Sequence, residues 1–280
     1  MNKLMTILAT VLVAVSCGPA ARQTAADTTP GFPGIDQKGK TAIVAHRGFW
    51  NCEAAGFSEN SIASLKAAQD NGFWGSEFDI QLTKDDIVIV NHNNDIDGLK
   101  IAENDWATLK THLLPNGERR PLLEEYLAQG AKSRHTMLVC EFKKQSSPER
   151  EDILVDKTIA ALKEAGLFKP GRVAFISFSR HICERLAVLC PTFVNQYLNG
   201  ELSPRKLASL GINGWDYHYK IAGLNASWVK EAHELGMSTN VWTVDKENCI
   251  DKMIGLGVDA ITTNEPLLVR KILADREFTR

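Results

Sequence analysis

The chain has 280 residues, 44% of them hydrophobic and 24% charged, and a formal net charge of −2. That length holds one α/β barrel of roughly 250 residues and little more, and the composition is that of a soluble globular domain. With no basic field a nucleic-acid partner is not expected, and an anionic ligand must be drawn by a local site.

The chain starts with a short polar, basic step at Asn2 and Lys3. An apolar run from Leu4 to Val15 follows, of signal-peptide length and too short to span a bilayer. It ends in Ala14-Val15-Ser16-Cys17-Gly18. Small residues before a Cys match the bacterial lipobox, although Ala14 stands where Leu is usual. Residues 1–17 are therefore expected to be a lipoprotein-type signal peptide, with membrane attachment through a lipid on Cys17. A plain cleaved signal peptide is the alternative. Either way the protein is expected to be exported, and the lipid would make it a periplasmic-side or outer-membrane-anchored lipoprotein. The stretch after Cys17 lacks an acidic cluster, which favours the periplasmic side. Residues 18–40, rich in Ala, Thr, Gly and Pro, are expected to be a flexible tether. An odd number of cysteines remains (Cys52, Cys140, Cys183, Cys190 and Cys249), so they cannot all pair within the chain. Cys140 lies in an apolar run and is expected to be a buried thiol.

From residue 41 onward, β-branched runs alternate with helical patterns, the signature of a parallel α/β architecture. Strands are expected at 42–46, 75–81, 137–142, 173–177, 193–197, 212–217, 238–243 and 258–262. Helices are expected near 60–71, 149–165, 180–189, 203–209, 225–235, 246–255 and 265–274. Eight strands in this rhythm fit a closed (β/α)₈ TIM barrel over residues 41–280 better than an open sheet. One extra run, 87–91, follows the second strand too closely for a parallel crossover. It must return as a β-hairpin turning at Lys84-Asp85, with residue 82 opposite 87 and 79–80 near 89–91. His92 then comes back to the level of Glu77 and Asp79. Residues 93–135 are an insertion near the barrel mouth, with a helix at 122–129.

The chemistry sits where barrel strands end. Strand one ends in Ala45-His46-Arg47-Gly48. Arg forks two donors to phosphate oxygens, and His exchanges protons near neutral pH. Glu77 and Asp79, two apart on a strand, point to one side. Inward carboxylates are costly unless a positive charge meets them. That charge is a divalent cation or an ion pair with Arg47 or Lys143. Glu141 and Lys143 repeat the pattern on the next main strand. Three carboxylates without clustered thiolates suit Mg²⁺ or Ca²⁺ better than zinc.

These blocks together resemble the glycerophosphodiester phosphodiesterase family. The matching runs are His46-Arg47-Gly48, Glu59-Asn60-Ser61, Glu77 through Asp85, Val90-Asn91-His92, Glu141 with Lys143, Trp242-Thr243-Val244 and Thr263-Asn264-Glu265-Pro266. The likeness spans 42–266. It implies that Glu77, Asp79 and Glu141 bind the metal, that His46 and His92 act as acid and base, and that Arg47 holds the phosphate. Lys143 resembles a second phosphate contact, and Trp242 an aromatic lining the substrate site. The implied reaction is metal-dependent hydrolysis of a small glycerophosphodiester to glycerol phosphate and an alcohol. Alternatives on the same fold are a phospholipase-type or glycerophosphoinositol-specific phosphodiesterase, or an inactive binding protein. Three departures stand out. Asn93 follows His92 where the family has Asp. Asp97-Gly98-Leu99-Lys100 replaces a usual Arg-Thr-Thr stretch. Ser58 replaces a Pro, with an effect expected only on the turn.

Overall fold

Short runs rich in Val, Ile and Phe become strands and the amphipathic stretches between them become helices, in a computed structural model that describes residues 41–278. The expected signal peptide, Cys17 and the expected tether fall outside the described residues. The first half contains β1 (Ala42–Ala45), α1 (Ile62–Asp70), β2 (Gly75–Leu82), β3 (Val88–Val90), β4 (Asp95–Ile96), β5 (Leu99–Lys100), α2 (Trp106–Leu109), α3 (Leu123–Gly130), β6 (Met137–Phe142) and α4 (Pro148–Glu164). The second contains β7 (Val173–Ser177), α5 (Arg180–Leu189), β8 (Asn195–Tyr197), α6 (Pro204–Ser209), β9 (Gly214–His218), α7 (Tyr219–Leu224), α8 (Ser227–Glu234), β10 (Ser238–Trp242), α9 (Glu247–Leu256), β11 (Ala260–Thr263) and α10 (Pro266–Phe278).

The parallel strands run β1-β2-β6-β7-β8-β9-β10-β11, and pairing of β11 with β1 closes the barrel. This is the (β/α)₈ architecture expected from the alternation. Serines punctuate it: Ser61, Ser147, Ser179 and Ser203 each accept a backbone N–H at the start of α1, α4, α5 and α6, each such cap being worth about 1 kcal/mol. Outward residues such as Phe78, Ile80, Trp215 and Tyr217 pack under the helices. Inward positions fill the barrel with Val44, Val139, Ala174, Ile176 and Ala260.

Several expectations need correction. The β2–β3 hairpin does turn at Lys84-Asp85, but it pairs Leu82 with Val88 and Ile80 with Val90. The loop is one residue longer because Asp86 takes a left-handed conformation (φ 59°), and the Thr83 N–H bonds the Ile87 carbonyl. Strand one stops at Ala45 because Arg47 also turns left-handed (φ 55°), leaving His46 on the rim. Strands β8 and β9 begin two residues later than expected. The Asn213 side chain stands in for a strand there, bonding the Asn195 N–H and the Phe193 carbonyl. The expected insertion divides in two. Helix α3 packs against α1 and α4 as a member of the outer ring. The segment before it forms a small cap with its own core of Ile96, Ile101 and Leu109 around Ile89 of β3. Helix α7 was not apparent in the sequence.

Candidate active site

Glu77 and Asp79 face the barrel interior from β2, and Asp79 pairs in register with Glu141 of β6. One oxygen from each of the three carboxylates lies within 4.8 Å of the others, and all three side chains are buried. The ion pairs weighed as the alternative do form. Lys143 Nζ stands 2.8 Å from Glu141 Oε1 and 3.3 Å from Asp79 Oδ1, and Arg47 Nε stands 3.8 Å from Asp79 Oδ2. They do not reach Glu77. Its Oε2 accepts the Arg47 backbone N–H at 2.8 Å, while Oε1 is buried with no hydrogen-bond partner among the described residues.

The protonation pattern follows. Burial disfavours the Asp79 carboxylate, but Lys143, His92, Asn60 and Arg47 together overcome that and hold its pKa below the usual value. Burial and the Asp79 and Glu141 charges push Glu77 well above the carboxylate range. Burial and Asp79, against Lys143, push Glu141 up to about 7. The cluster therefore calls for more positive charge than its own lysine and arginine supply. An oxygen-only donor set with an unpartnered Glu77 Oε1 fits a hard divalent cation.

Arg47 reaches the cluster because of its turn. Its backbone N–H points at Glu77, its Nη1 donates to Glu59 Oε2 at 2.7 Å, and its carbonyl accepts from the Asn60 N–H. Gly48 follows at φ 78°, where an added Cβ would lie 2.3 Å from Ser64 Oγ. No other residue fits without a shift. Asn60 clamps Asp79 twice, through Nδ2 to Oδ2 at 2.9 Å and by accepting the Asp79 N–H at 3.1 Å. Glu59 and Asn60 were legible as a motif, but their roles were not. Ser58 does more than shape a turn, since its hydroxyl accepts the Asn116 N–H at 2.9 Å and ties the cap to the site loop.

Both histidines are oriented by amide oxygens. His46 Nδ1 lies 2.8 Å from Asn264 Oδ1. The Asn264 amide is fixed in turn by Trp50 Nε1 at 3.0 Å and by Asp245 Oδ2 at 2.8 Å. His92 Nδ1 lies 2.9 Å from Asn93 Oδ1. The residue that departs from the family thus makes a neutral hydrogen bond to the imidazole. With Nδ1 engaged as donor, Nε2 of each ring is left to exchange protons. Burial lowers the pKa of both rings, and the Arg47 charge adds to this at His46 and the Lys143 charge at His92.

His46, Arg47, Glu77, His92 and Glu141 line one cavity of about 200 Å³. Its far wall is Ile176, Phe178, Leu198 and Trp242. Trp242 is half-buried in that wall, edge-on to Phe178 and His218, with its indole N–H on the Asp216 carbonyl at 3.0 Å. Asp216 is a cavity residue that the sequence did not single out. Its only signal is an acid between Trp215 and Tyr217, the inward phase of β9. A second, open groove on the other side of His92 is lined by Trp50, Glu59, Asp97, Leu114 and Arg120. His218 touches the site only through Trp242, while His112, His181 and His233 pair with Asp97, Asp152 and Asp259. Among the described residues, the five cysteines are free thiols, and Cys140 is buried.

A closed barrel whose C-terminal rim gathers three carboxylates, two imidazoles and an Arg–Lys pair defines a class: a barrel enzyme built for phosphate-ester chemistry. The model of the glycerophosphoryl diester phosphodiesterase family matches residues 46–268. A glycerophosphodiester phosphodiesterase of Caldanaerobacter subterraneus subsp. tengcongensis is 27% identical over 241 residues, covering 81% of this chain and 95% of the relative. A crystal structure of a glycerophosphodiester phosphodiesterase from Parabacteroides distasonis shares 43% identity and a TM-score of 0.82, over 85% of this chain and 98% of that one. A phosphodiesterase from Oleispira antarctica, solved in complex with the product sn-glycerol-3-phosphate, has a TM-score of 0.70 at 21% identity, over 83% of this chain and 96% of that one. This chain belongs to the glycerophosphoryl diester phosphodiesterase family, and it is a phosphodiesterase.

Proposed function

We propose that the protein hydrolyses small glycerophosphodiesters to glycerol phosphate and an alcohol, using a divalent cation and paired histidine acid–base catalysis. The observation that carries this is the shared cavity, in which Glu77 and Glu141 of the acid cluster, both imidazoles and Arg47 face one space. Glycerol phosphate, the product held by the Oleispira antarctica relative, is the product expected here.

Glu77, Asp79 and Glu141 would hold the cation, with Mg²⁺ or Ca²⁺ suited to an all-carboxylate set. When bound, such an ion supplies Lewis-acid polarisation and offsets charge on a phosphoryl oxygen. Arg47 and Lys143 offer donors to the other phosphoryl oxygens and stabilise the charge that grows there. One histidine takes a proton from the nucleophile at Nε2, and the other delivers one from Nε2 to the departing alcohol oxygen. The nucleophile is water, or the neighbouring glycerol hydroxyl by way of a cyclic phosphate. Trp242 and Phe178 offer an apolar wall to the substrate carbons. Glycerophosphocholine, glycerophosphoethanolamine and glycerophosphoinositol assayed against intact phospholipids test the substrate class. Release of glycerol phosphate from the small diesters is expected; cleavage confined to whole lipids would move the protein to the phospholipase-type alternative.

We also propose export and anchoring through a lipid on Cys17, supported by the run Ala14-Val15-Ser16-Cys17-Gly18. Membrane-fraction protein that becomes soluble in a Cys17→Ala variant is the expected result. An unchanged distribution contradicts it.

A further inference from the structure

Asp216 sits on β9 in the inward phase, beneath the Trp242 indole, and it lines the cavity that holds both histidines. Its side chain is 1% exposed, and neither carboxyl oxygen has a hydrogen-bond partner among the described residues. The donors on the flanking strands are engaged elsewhere. On β8, Gln196 Nε2 donates to Ser238 Oγ at 3.0 Å. On β10, Asn240 Nδ2 donates to Thr262 Oγ1 at 2.9 Å. The nearby indole N–H goes to the Asp216 backbone carbonyl and not to its carboxyl. An acid left this way costs stability, so an unsatisfied buried group in a cavity calls for a partner from outside.

Burial, reinforced by the Glu141 charge and only partly offset by the Asn240 amide, which lies near the carboxyl but outside hydrogen-bonding geometry, raises the Asp216 pKa well above the carboxylate range. Protonated, the group both donates and accepts a hydrogen bond; ionised, it accepts one. Its surroundings define what it would meet. Ile176, Phe178, Leu198 and Trp242 supply apolar surface, and Thr262 adds a hydroxyl. Apolar walls with one convergent polar group suit a short polyol, with C–H faces on the wall and an O–H on the acid. At about 200 Å³ the space holds roughly seven water volumes of about 30 Å³, enough for a glycerol-sized group.

We propose that Asp216 is a specificity-determining residue that hydrogen-bonds a hydroxyl of the polyol esterified to the phosphate and so selects polyol phosphates over plain alkyl phosphates. This deepens, and rests on, the phosphodiesterase reading of the same cavity.

The test is binding, which is independent of turnover. Affinities of sn-glycerol 3-phosphate and n-propyl phosphate, which lacks both hydroxyls, are measured by calorimetry in Mg²⁺ buffer. The wild-type protein, Asp216→Leu and Asp216→Asn are compared, with Asp216→Ala in place of the Leu variant if that fails to fold. The wild type is expected to prefer glycerol phosphate by about tenfold or more, the scale of one satisfied buried polar group. Asp216→Leu is expected to lose about 10- to 100-fold in affinity for glycerol phosphate while propyl phosphate stays within about threefold. Asp216→Asn, which still donates and accepts, retains the preference. An unchanged preference in the Leu variant overturns the proposal, as does equal loss of both ligands in a folded variant. Failure of the wild type to cleave glycerophosphocholine, glycerophosphoethanolamine and glycerophosphoinositol alike, with the binding preference intact, overturns the proposed small-diester substrates and leaves Asp216 as the polyol contact.

Discussion

If the acid cluster is a cation site, divalent metal should stabilise the protein more at alkaline pH than at acid pH. Glu141 has its pKa raised from an ordinary 4.5 to about 7. A carboxyl raised on folding contributes stability that is fully present below its unfolded pKa and lost as pH rises through its folded one. The metal-free protein therefore loses this contribution between about pH 4.5 and 7. A cation changes the sign of the effect, because it favours the ionised form and must displace the proton. At pH 5.5, about 1.5 units below the Glu141 value of about 7, that displacement costs about 2 kcal/mol. For a barrel of this size 1 kcal/mol moves Tm by roughly 2–4 °C. The Tm increase on adding saturating Mg²⁺ or Ca²⁺ to EDTA-stripped protein should thus be about 4–8 °C larger at pH 8 than at pH 5.5. Glu77, raised by the same burial, pushes in the same direction. Differential scanning calorimetry at the two pH values reads it directly. An equal increase at both, or a larger one at pH 5.5, refutes proton–metal competition at this cluster. Glu141→Gln should shrink the pH dependence by the Glu141 share and leave that of Glu77.

Other consequences are as specific. His46→Ala and His92→Ala should each lower kcat by about 10²–10⁴, the span of a general acid or base; steady-state rates near wild type would remove the residue from the chemistry. Asn264→Leu strands His46 Nδ1 and Trp50 Nε1, and should cost about 1–3 kcal/mol in transition-state stabilisation, or roughly 5- to 150-fold in kcat/KM. Unaltered kinetics would mean that His46 needs no such support. Gly48→Ala places a Cβ 2.3 Å from Ser64 Oγ at φ 78°, so Tm should fall by roughly 4 °C or more, from a strain of about 2 kcal/mol. A melting point equal to wild type counts against the tight turn. Both imidazoles are held below their ordinary 6.5. The acid limb of kcat/KM against pH, set by the histidine that acts as base, should therefore be centred below that value. An acid limb centred above it contradicts the burial argument.

The fold was legible because strand and helix periods differ and alternate cleanly. Strand bounds came within two residues at most positions. They slipped where a side chain did a strand's work, at Asn213, and where Arg47 and Asp86 took left-handed conformations that no propensity of Arg announces. The acid cluster was legible from alternation alone: Glu77 and Asp79 share a phase, and Glu141 repeats it one strand away. The partners of the histidines were not. Asn264 and Asp245 lie some two hundred residues from His46, and only barrel closure through β11 and β1 joins them. Asn93 departs from the family pattern, and the structure gives it a neutral hydrogen bond to His92. Asp216 escaped notice because a lone acid between two aromatics carries no motif, although its inward phase on β9 could have marked it.

The most direct trial of metal-assisted, two-histidine hydrolysis is phosphorus-31 NMR of glycerophosphocholine incubated with the purified protein. The glycerol phosphate resonance should grow at the expense of that of the diester with Mg²⁺ or Ca²⁺ present, stop growing on adding EDTA, and resume when the metal is restored. The His46→Ala and His92→Ala proteins should produce it far more slowly. Undiminished product in EDTA, or at the wild-type rate in both variants, would contradict the account at its centre.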